Sequence, residues 1–549
     1  MIEGANEYSL AFLFNQSQIM SNLFLKRLKN DSEYFEFWQD FHEYCKDFDI
    51  PDKKEFLELL PLISDRIKND MAGYSIYESL RKFASKKPND AIDVLRMIEA
   101  EGNPEIFEFS TAILGGLSQS KTDYPYQDKI LSLINSSSED ETHLGIAAAY
   151  QTVLKDQKEE LIFLDKIQES IAKVAERKSK KSLGIITRFY NKHLKKIDGA
   201  KKIILELLQL KNVDVQNEVA RSLNAEFKPD EDMDYFQNCL NLLSFTDSKY
   251  KNIYSTIQYR LKDVIVSHPD TIVEFINNWI LNNKRNLKGI SVLEGIIQDL
   301  YFNHSKTIEN LFLDWLNSDN STYKHALQFA ISDLNSKVDT VGLPKESLKD
   351  MSETDSLYIV FMIVGYILDR KYASEMLYNI LEVKYNSERV RNHIATLFVK
   401  YLIINYYSVT EVLKNKRKSA NKTIKSVIDQ IIEASENYYQ QVSELKSINE
   451  FEPSDKRMQY FLKQQNSQMQ KLMDSSDRKR DSFLDMLTNV SLRAGKSFFS
   501  KNRGEYSQES EMQSFRSSFE VARVQFIDEI GQEKLRLMWQ NMKRDELPN

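Results

Sequence analysis

Apolar residues along this chain recur every three or four positions, the spacing that lines one side of an α-helix. From about residue 86 the pattern comes in pairs. A helix opens on a polar residue or a proline, carries Ile and Leu at helical spacing, and ends in a polar turn containing Asn. A second helix rich in Ala, Ile and Leu follows. The pair is legible at Lys87–Leu117 and Tyr126–Leu154, and again at Asp198–Phe227, His268–Leu300 and His304–Leu334. Ile92 and Ile130 lie 38 residues apart, and Ile272 and Ile308 lie 36 apart, within the period range of helical-pair solenoids. Upstream, Tyr34, Phe35, Phe37, Trp38, Phe41, Tyr44 and Phe48 share one helical face, with Asp40, Glu43 and Asp47 on another. Core packing with a solvated acidic face accounts for that pattern better than an aromatic ligand pocket does.

The end of the chain has its own rhythm. Met458, Leu462, Gln465, Met469, Leu472, Ser476, Lys479, Phe483, Met486 and Val490 alternate steps of four and three, a coiled-coil-like seam with a polar middle. Phe515, Phe519, Ala522, Phe526 and Ile530 share one face of a second helix. Together they predict a long-helix hairpin, packed on the stack or serving as a dimerisation element; the polar central positions favour packing. The loops Thr340–Asp355, Asn449–Asp455 and Ser500–Ser510 are the candidate boundaries. The expected organisation is an aromatic-rich helical cap over 1–85, a helical-repeat region over 86–409 and a basic helical tail over 410–549.

Val213-Asp214-Val215-Gln216-Asn217-Glu218-Val219-Ala220-Arg221-Ser222-Leu223 resembles the second helix of a HEAT-type repeat, which pairs Asp and spaced Val and Ala with a following Arg and Leu. Ser387–Leu402 is similar. The resemblance covers about 300 residues. It implies an all-α fold of stacked antiparallel helix pairs, a HEAT-like α-solenoid, with the C-terminal hairpin added; it implies nothing about a substrate.

Composition agrees. Fifteen Gly and ten Pro in 549 residues are too few for a fold built on many tight turns. Hydrophobic residues make up 42%, ample for a core. Cys45 and Cys239 cannot form a disulfide framework or a four-thiolate zinc site, and fit a reducing compartment. The start, MIEGANEYSLAFLF, lacks a basic region ahead of its apolar run, so no secretory signal is expected. The apolar stretch Leu357–Leu368 is short of the roughly 20 residues of a spanning helix and reads as a buried core helix. A cytoplasmic, non-membrane protein follows as the expectation. Heavy use of Asn, Lys, Ile and Tyr points to an AT-rich genome, and through it to a bacterial or phage setting such as a conflict system.

Charge is uneven. Residues 410–503 hold 18 Lys/Arg against 12 Asp/Glu, a net of +6 within an overall −7. Lys414, Lys416, Arg417, Lys418, Lys422 and Lys425 cluster after Tyr406 and Tyr407, and Arg478, Lys479 and Arg480 follow. Such cations can neutralise phosphates and bind nucleic acid without reading sequence. The alternative is a solvated face balanced by Glu433, Glu436, Glu444, Asp474, Asp477 and Asp481.

Catalytic and cofactor signals are thin. Gly495-Lys496-Ser497 lacks the P-loop's earlier Gly, since that position is Val490. Asp230, Asp232 and Asp234 have calcium-loop spacing, but Tyr235 stands where Gly is needed and Asn241 where Glu is expected; a helix start with acids at its positive end is the simpler reading. No His pair has zinc spacing, and no metal or cofactor is expected. Arg188 and His193 match the R-x4-H spacing of the HEPN ribonuclease family, an all-helical family that would use them for RNA cleavage, although Phe189 departs from its usual polar residue. Glu382-Val383-Lys384 with Asp369 echoes acidic metal nucleases but lies in a helical period. The favoured expectation is therefore a non-enzymatic scaffold or adaptor that binds another protein, ahead of a nucleic-acid-binding subunit and a HEPN-like ribonuclease.

Overall fold

A computed structural model describes residues 50–444 apart from 51–52, 68–74, 104, 121, 155, 177–179, 226–231, 335–337 and 339–340. It also describes residue 463, short stretches between 491 and 511, and residues 528–548. The predicted aromatic face Tyr34–Phe48, the seam Met458–Val490, the stripe Phe515–Phe526 and the cations Arg478, Lys479 and Arg480 lie outside the described residues.

Over the described residues from 50 to 444 the fold is all-α, built from stacked antiparallel helix pairs. In order, the first helices are α1 (Lys53–Ile67), α2 (Ser75–Lys86), α3 (Pro88–Glu101), α4 (Phe107–Leu117), α5 (Tyr126–Ile134), α6 (Glu139–Gln151), α7 (Gln157–Glu176) and α8 (Lys180–Lys192). Then come α9 (Ala200–Gln209), α10 (Val213–Ala225), α11 (Met233–Leu243), α12 (Lys251–Ser267), α13 (Pro269–Asn282) and α14 (Glu294–Asn303). The later ones are α15 (Ser305–Asn317), α16 (Ser321–Leu334), α17 (Lys345–Asp350), α18 (Glu353–Tyr366), α19 (Arg370–Val383) and α20 (Glu388–Leu397). Last are α21 (Val409–Arg417), α22 (Lys422–Glu444) and α23 (Glu529–Gln540).

Local chemistry sets the ends of these helices. Pro88 and Pro269 occupy first-turn positions, where a missing N–H costs nothing. Gly102 ends α3 in the left-handed conformation at φ +65°, which glycine adopts without a Cβ penalty. Ser138, Ser352, Asp369 and Ser387 accept hydrogen bonds from first-turn amides of α6, α18, α19 and α20. Asp232 does the same for α11, which begins at Met233, accepting from Tyr235 N at 3.0 Å; Asp230 lies outside the described residues.

The residues form two compact units, one ending at Ile296 and one beginning at Ile297. In the first, α2, α4, α6, α8, α10 and α12 pack side by side in sequence, while α9, α11 and α13 pack in a second layer. In the second, α15, α18, α20 and α22 make one row and α17, α19 and α21 another.

Polar bonds repeat at nearly constant separation. Asn278 donates to Asn241 and Asn282 to Ser244, 37 and 38 residues back. Leu343 N donates to Asn379 Oδ1 across 36 residues, and Arg370 Nε to Ser408 across 38. A cation also recurs at helix C-termini. Lys192 donates to Tyr150 O beyond α5 at the end of α6, Arg260 to Leu223 O in α10, and Lys384 to Met351 O just past α17. Each cation satisfies carbonyls that have no intrahelical partner, at the negative end of the helix dipole.

One region departs from helix. Short strands lie in the predicted polar loop Ser500–Ser510 and just before it, where the tail was expected to be helical: β1 (Ser491–Ala494), β2 (Ser497–Asn502), β3 (Glu505–Tyr506) and β4 (Ser510–Glu511). Strand β2 pairs antiparallel with each of the others. No helix among the described residues is long and apolar enough to cross a membrane.

Candidate functional site

The sequence candidates are tied into the stack. Five positions separate Arg188 from His193, roughly 140° around a helix. Arg188 forks onto Glu218 of α10, with Nε donating to Oε2 at 2.8 Å and a second nitrogen to Oε1. Asn191 donates to the Glu218 carbonyl at 3.2 Å, so that corner joins two repeats. His193 is 3% exposed, and neither ring nitrogen has a hydrogen-bond partner among the described residues. Its ring lies on Phe189, centroids 4.9 Å apart. Burial, reinforced by Lys192 and Lys196, holds its pKa down at about 4. It is a neutral core histidine at physiological pH.

Three of the six cations from Lys414 to Lys425 are matched by carboxylates. Lys414 lies 3.4 Å from Glu436, Lys416 pairs with Glu375 of α19, and Arg417 forks onto Asp429 of α22. Lys418 donates to Asn415 at 3.0 Å, while Lys422 is exposed and Lys425 half-buried on the first turn of α22. Asp369 and Glu382 sit at opposite ends of α19, about 20 Å apart at 1.5 Å per residue, and Glu382 pairs with Lys345. Burial pushes the Cys239 thiol up to about 12, which keeps it un-nucleophilic. No group of three metal-ligating side chains gathers among the described residues. A concavity of about 200 Å³ between α3 and α6 has an apolar floor at Phe107 and Leu114, with the Glu99–Lys129 ion pair at its rim. It is sized for one side chain.

The most developed binding surface is one that sequence reasoning did not find. Every side chain of α18 from Ser356 to Tyr366 is buried, although a helix in a two-layer stack ordinarily keeps one polar side. The cover is the end of the chain. Helix α23, followed by a turn at Arg544–Glu546, lies along α18. Trp539 is 6% exposed and meets Tyr401 edge to face, ring centroids 4.7 Å apart. Gln540 donates to Gly365 O at 2.7 Å. A Cβ on Gly365 would stand 3.2 Å from the Gln540 backbone nitrogen, a tight contact that the segment would relieve by giving a few tenths of an ångström.

Arg544 anchors the segment. Its Nε donates to Asp355 at 2.9 Å, and another nitrogen donates to Asp319. A third contact reaches the Asn317 carbonyl, 2.6 Å away at the end of α15. The guanidinium also lies 4.2 Å from the ring centroid of Tyr358, in cation–π range. Ser352 donates to the same Asp355, and Ser352 with Arg544 holds its carboxyl below the usual carboxylate range. Beneath the ring, Lys324 is 2% exposed and donates to Tyr358 Oη; burial lowers its pKa to about 8. Beyond the turn, Arg389 donates to Pro548 O at 2.7 and 3.0 Å, and Leu547 is buried.

The chain matches no protein-family model and no curated protein.

The docked segment is held by few apolar anchors. Trp539 and Leu547 are the buried apolar side chains of 528–548, contributing roughly 1.5–3 kcal/mol each. Part-exposed ion pairs such as those of Arg544 add about 0–1 kcal/mol apiece. Ordering the segment costs about 1–2 kcal/mol per residue of backbone entropy before its own helical bonds are counted. Ile530, Leu535, Leu537 and Met538 face outward, with Ile530 83% exposed. The segment therefore belongs to the low-stability end of the molecule.

Sequence held one clue to this site. A helix apolar on all sides had to be covered by something.

Proposed function

We propose that this protein is a non-enzymatic helical-repeat scaffold that binds another protein. What carries the reading is the employment of its chemistry-bearing groups. Arg188, Asn191, Lys192, Lys384, Lys414, Lys416 and Arg417 each bond a neighbouring helix or repeat. Stacked helix pairs leave extended side-chain surface, which suits docking more than turnover. The setting proposed for it is a bacterial or phage conflict system. Affinity capture from native lysate should recover a partner in stoichiometric amount. Repeated recovery of the chain alone would overturn the scaffold reading.

A second reading, nucleic-acid binding over 410–503, draws support from the net +6 of that region. Fluorescence anisotropy with labelled RNA and DNA at two salt concentrations tests it; salt-sensitive binding would favour it over the scaffold. The HEPN-like reading makes a separate demand. His193→Ala would have to abolish RNA cleavage, and no change is expected.

A further inference from the structure

The C-terminal segment occupies its groove in the manner of a ligand. It arrives from 84 positions beyond Glu444. It inserts one aromatic side chain, Trp539, beside Tyr401. Five residues later Arg544 enters a receptor-like cluster of Asp319, Asp355, the Tyr358 ring and the Asn317 carbonyl. Arg544 does for α15 what Lys192, Arg260 and Lys384 do for α6, α10 and α17 from within the repeats. The position that a following repeat's cation fills elsewhere is here filled by a segment from the end of the chain.

We propose that residues 528–548 are a built-in occupant of a groove over α18 that accepts a helix and the turn after it, and that its external ligand is an amphipathic helix of a partner protein bearing an aromatic residue in its last turn and an arginine five positions later, beyond the helix end. This rests on the scaffold reading and gives it a surface and a recognition pattern. Three features argue for a helix of that kind. On α18 the segment meets Tyr358, Gly365 and Tyr366, within a stretch that is buried throughout from Leu357 to Tyr366. Two carboxylates and an aromatic ring converge on one guanidinium, a geometry that favours arginine over lysine. The carbonyls at Leu547 and Pro548 are received by Arg389, so backbone beyond the arginine is read as well. Anchoring through helix positions in an apolar groove is a recurrent mode of peptide recognition.

The test uses the full chain and a labelled peptide of residues 528–548. In the double variant Trp539→Ala and Arg544→Ala the built-in segment is loosened. That chain should bind the peptide at least tenfold more tightly than the unaltered chain does. A peptide carrying Arg544→Ala should lose at least tenfold. No peptide binding by a folded double variant, or equal binding of both peptides, would overturn the proposal. Loss of the helical circular-dichroism signal in the double variant would also overturn it, because the segment would then be core and no occupant. Light scattering that showed the unaltered chain as a dimer dissociated by excess peptide would assign the groove to a second copy and remove the partner. Peptide binding combined with failed affinity capture would keep the groove and sink the scaffold reading instead.

Discussion

Helix α4 in the first unit and helix α18 in the second are both buried on every side, and they are hidden by different means. In α4, every residue from Phe109 to Leu117 is buried because its neighbours come very close. A Cβ on Gly116 would fall 2.3 Å from the Arg81 carbonyl and 2.6 Å from Ala84 Cβ in α2. In α18 the last face is closed by α23 and the turn at Arg544. One helix is hidden by removing its own atoms, the other by a segment brought from elsewhere. An all-apolar helix announces that it is covered. What covers it is decided by distant residues.

The largest expected effect breaks the first arrangement. Gly116→Val should cost the first unit about 3 kcal/mol or more, since overpacking against backbone leaves little room to relax. Denaturant unfolding should show that loss, while the rate of proteolytic cutting within 528–548 in the second unit stays that of the unaltered chain.

Acid and alkali should separate the units next. His193 is neutral in the fold with its pKa near 4, against 6.5 for the ordinary group. The unfolded chain takes up the proton first, so stability falls as pH drops from about 6.5 to 4, by up to about 3 kcal/mol at 1.36 kcal/mol per unit. Lys192 and Lys196 oppose its protonation and Glu160 favours it. His193→Phe should flatten that acid limb. Lys324 acts in the opposite pH range. Its folded pKa of about 8 lies below the ordinary 10.5. The folded form sheds its proton first, so the second unit gains stability as pH rises from about 8 towards 10.5. Lys324→Met should remove that gain, read as the pH dependence of the melting temperature.

Smaller still is Arg544→Ala. Loss of its contacts with Asp355, Asp319 and Asn317 should cost about 1–3 kcal/mol, all of it in docking of 528–548. Limited proteolysis should then cut within 528–548 sooner. Least of all is Lys414→Ala, whose partly exposed pair with Glu436 contributes less than about 1 kcal/mol; its midpoint should scarcely move.

Much of the fold was legible because its signals are local. Pro88 at a helix start and Ile residues 36 to 38 apart concern neighbours in sequence or in the next repeat. Lys414 and Glu436 were legible as charges that could balance, being 22 positions apart. Glu375 as the partner of Lys416 was not, because it comes from a different helix pair. The Arg544 site lay further out of reach. Its acids are 189 and 225 positions away, and no periodicity links residues at such separations. The surroundings of Arg188 and His193 were out of reach for a related reason. Spacing put Arg188 and His193 in one motif, whereas burial and Glu218 give them separate surroundings.

The most direct measurement is amide hydrogen exchange on the unaltered chain and on Trp539→Ala. Loss of protection confined to α18 and α23, with α4 unchanged, is the expected result. Equal protection of α18 in both proteins would contradict the claim that the C-terminal segment is what closes it.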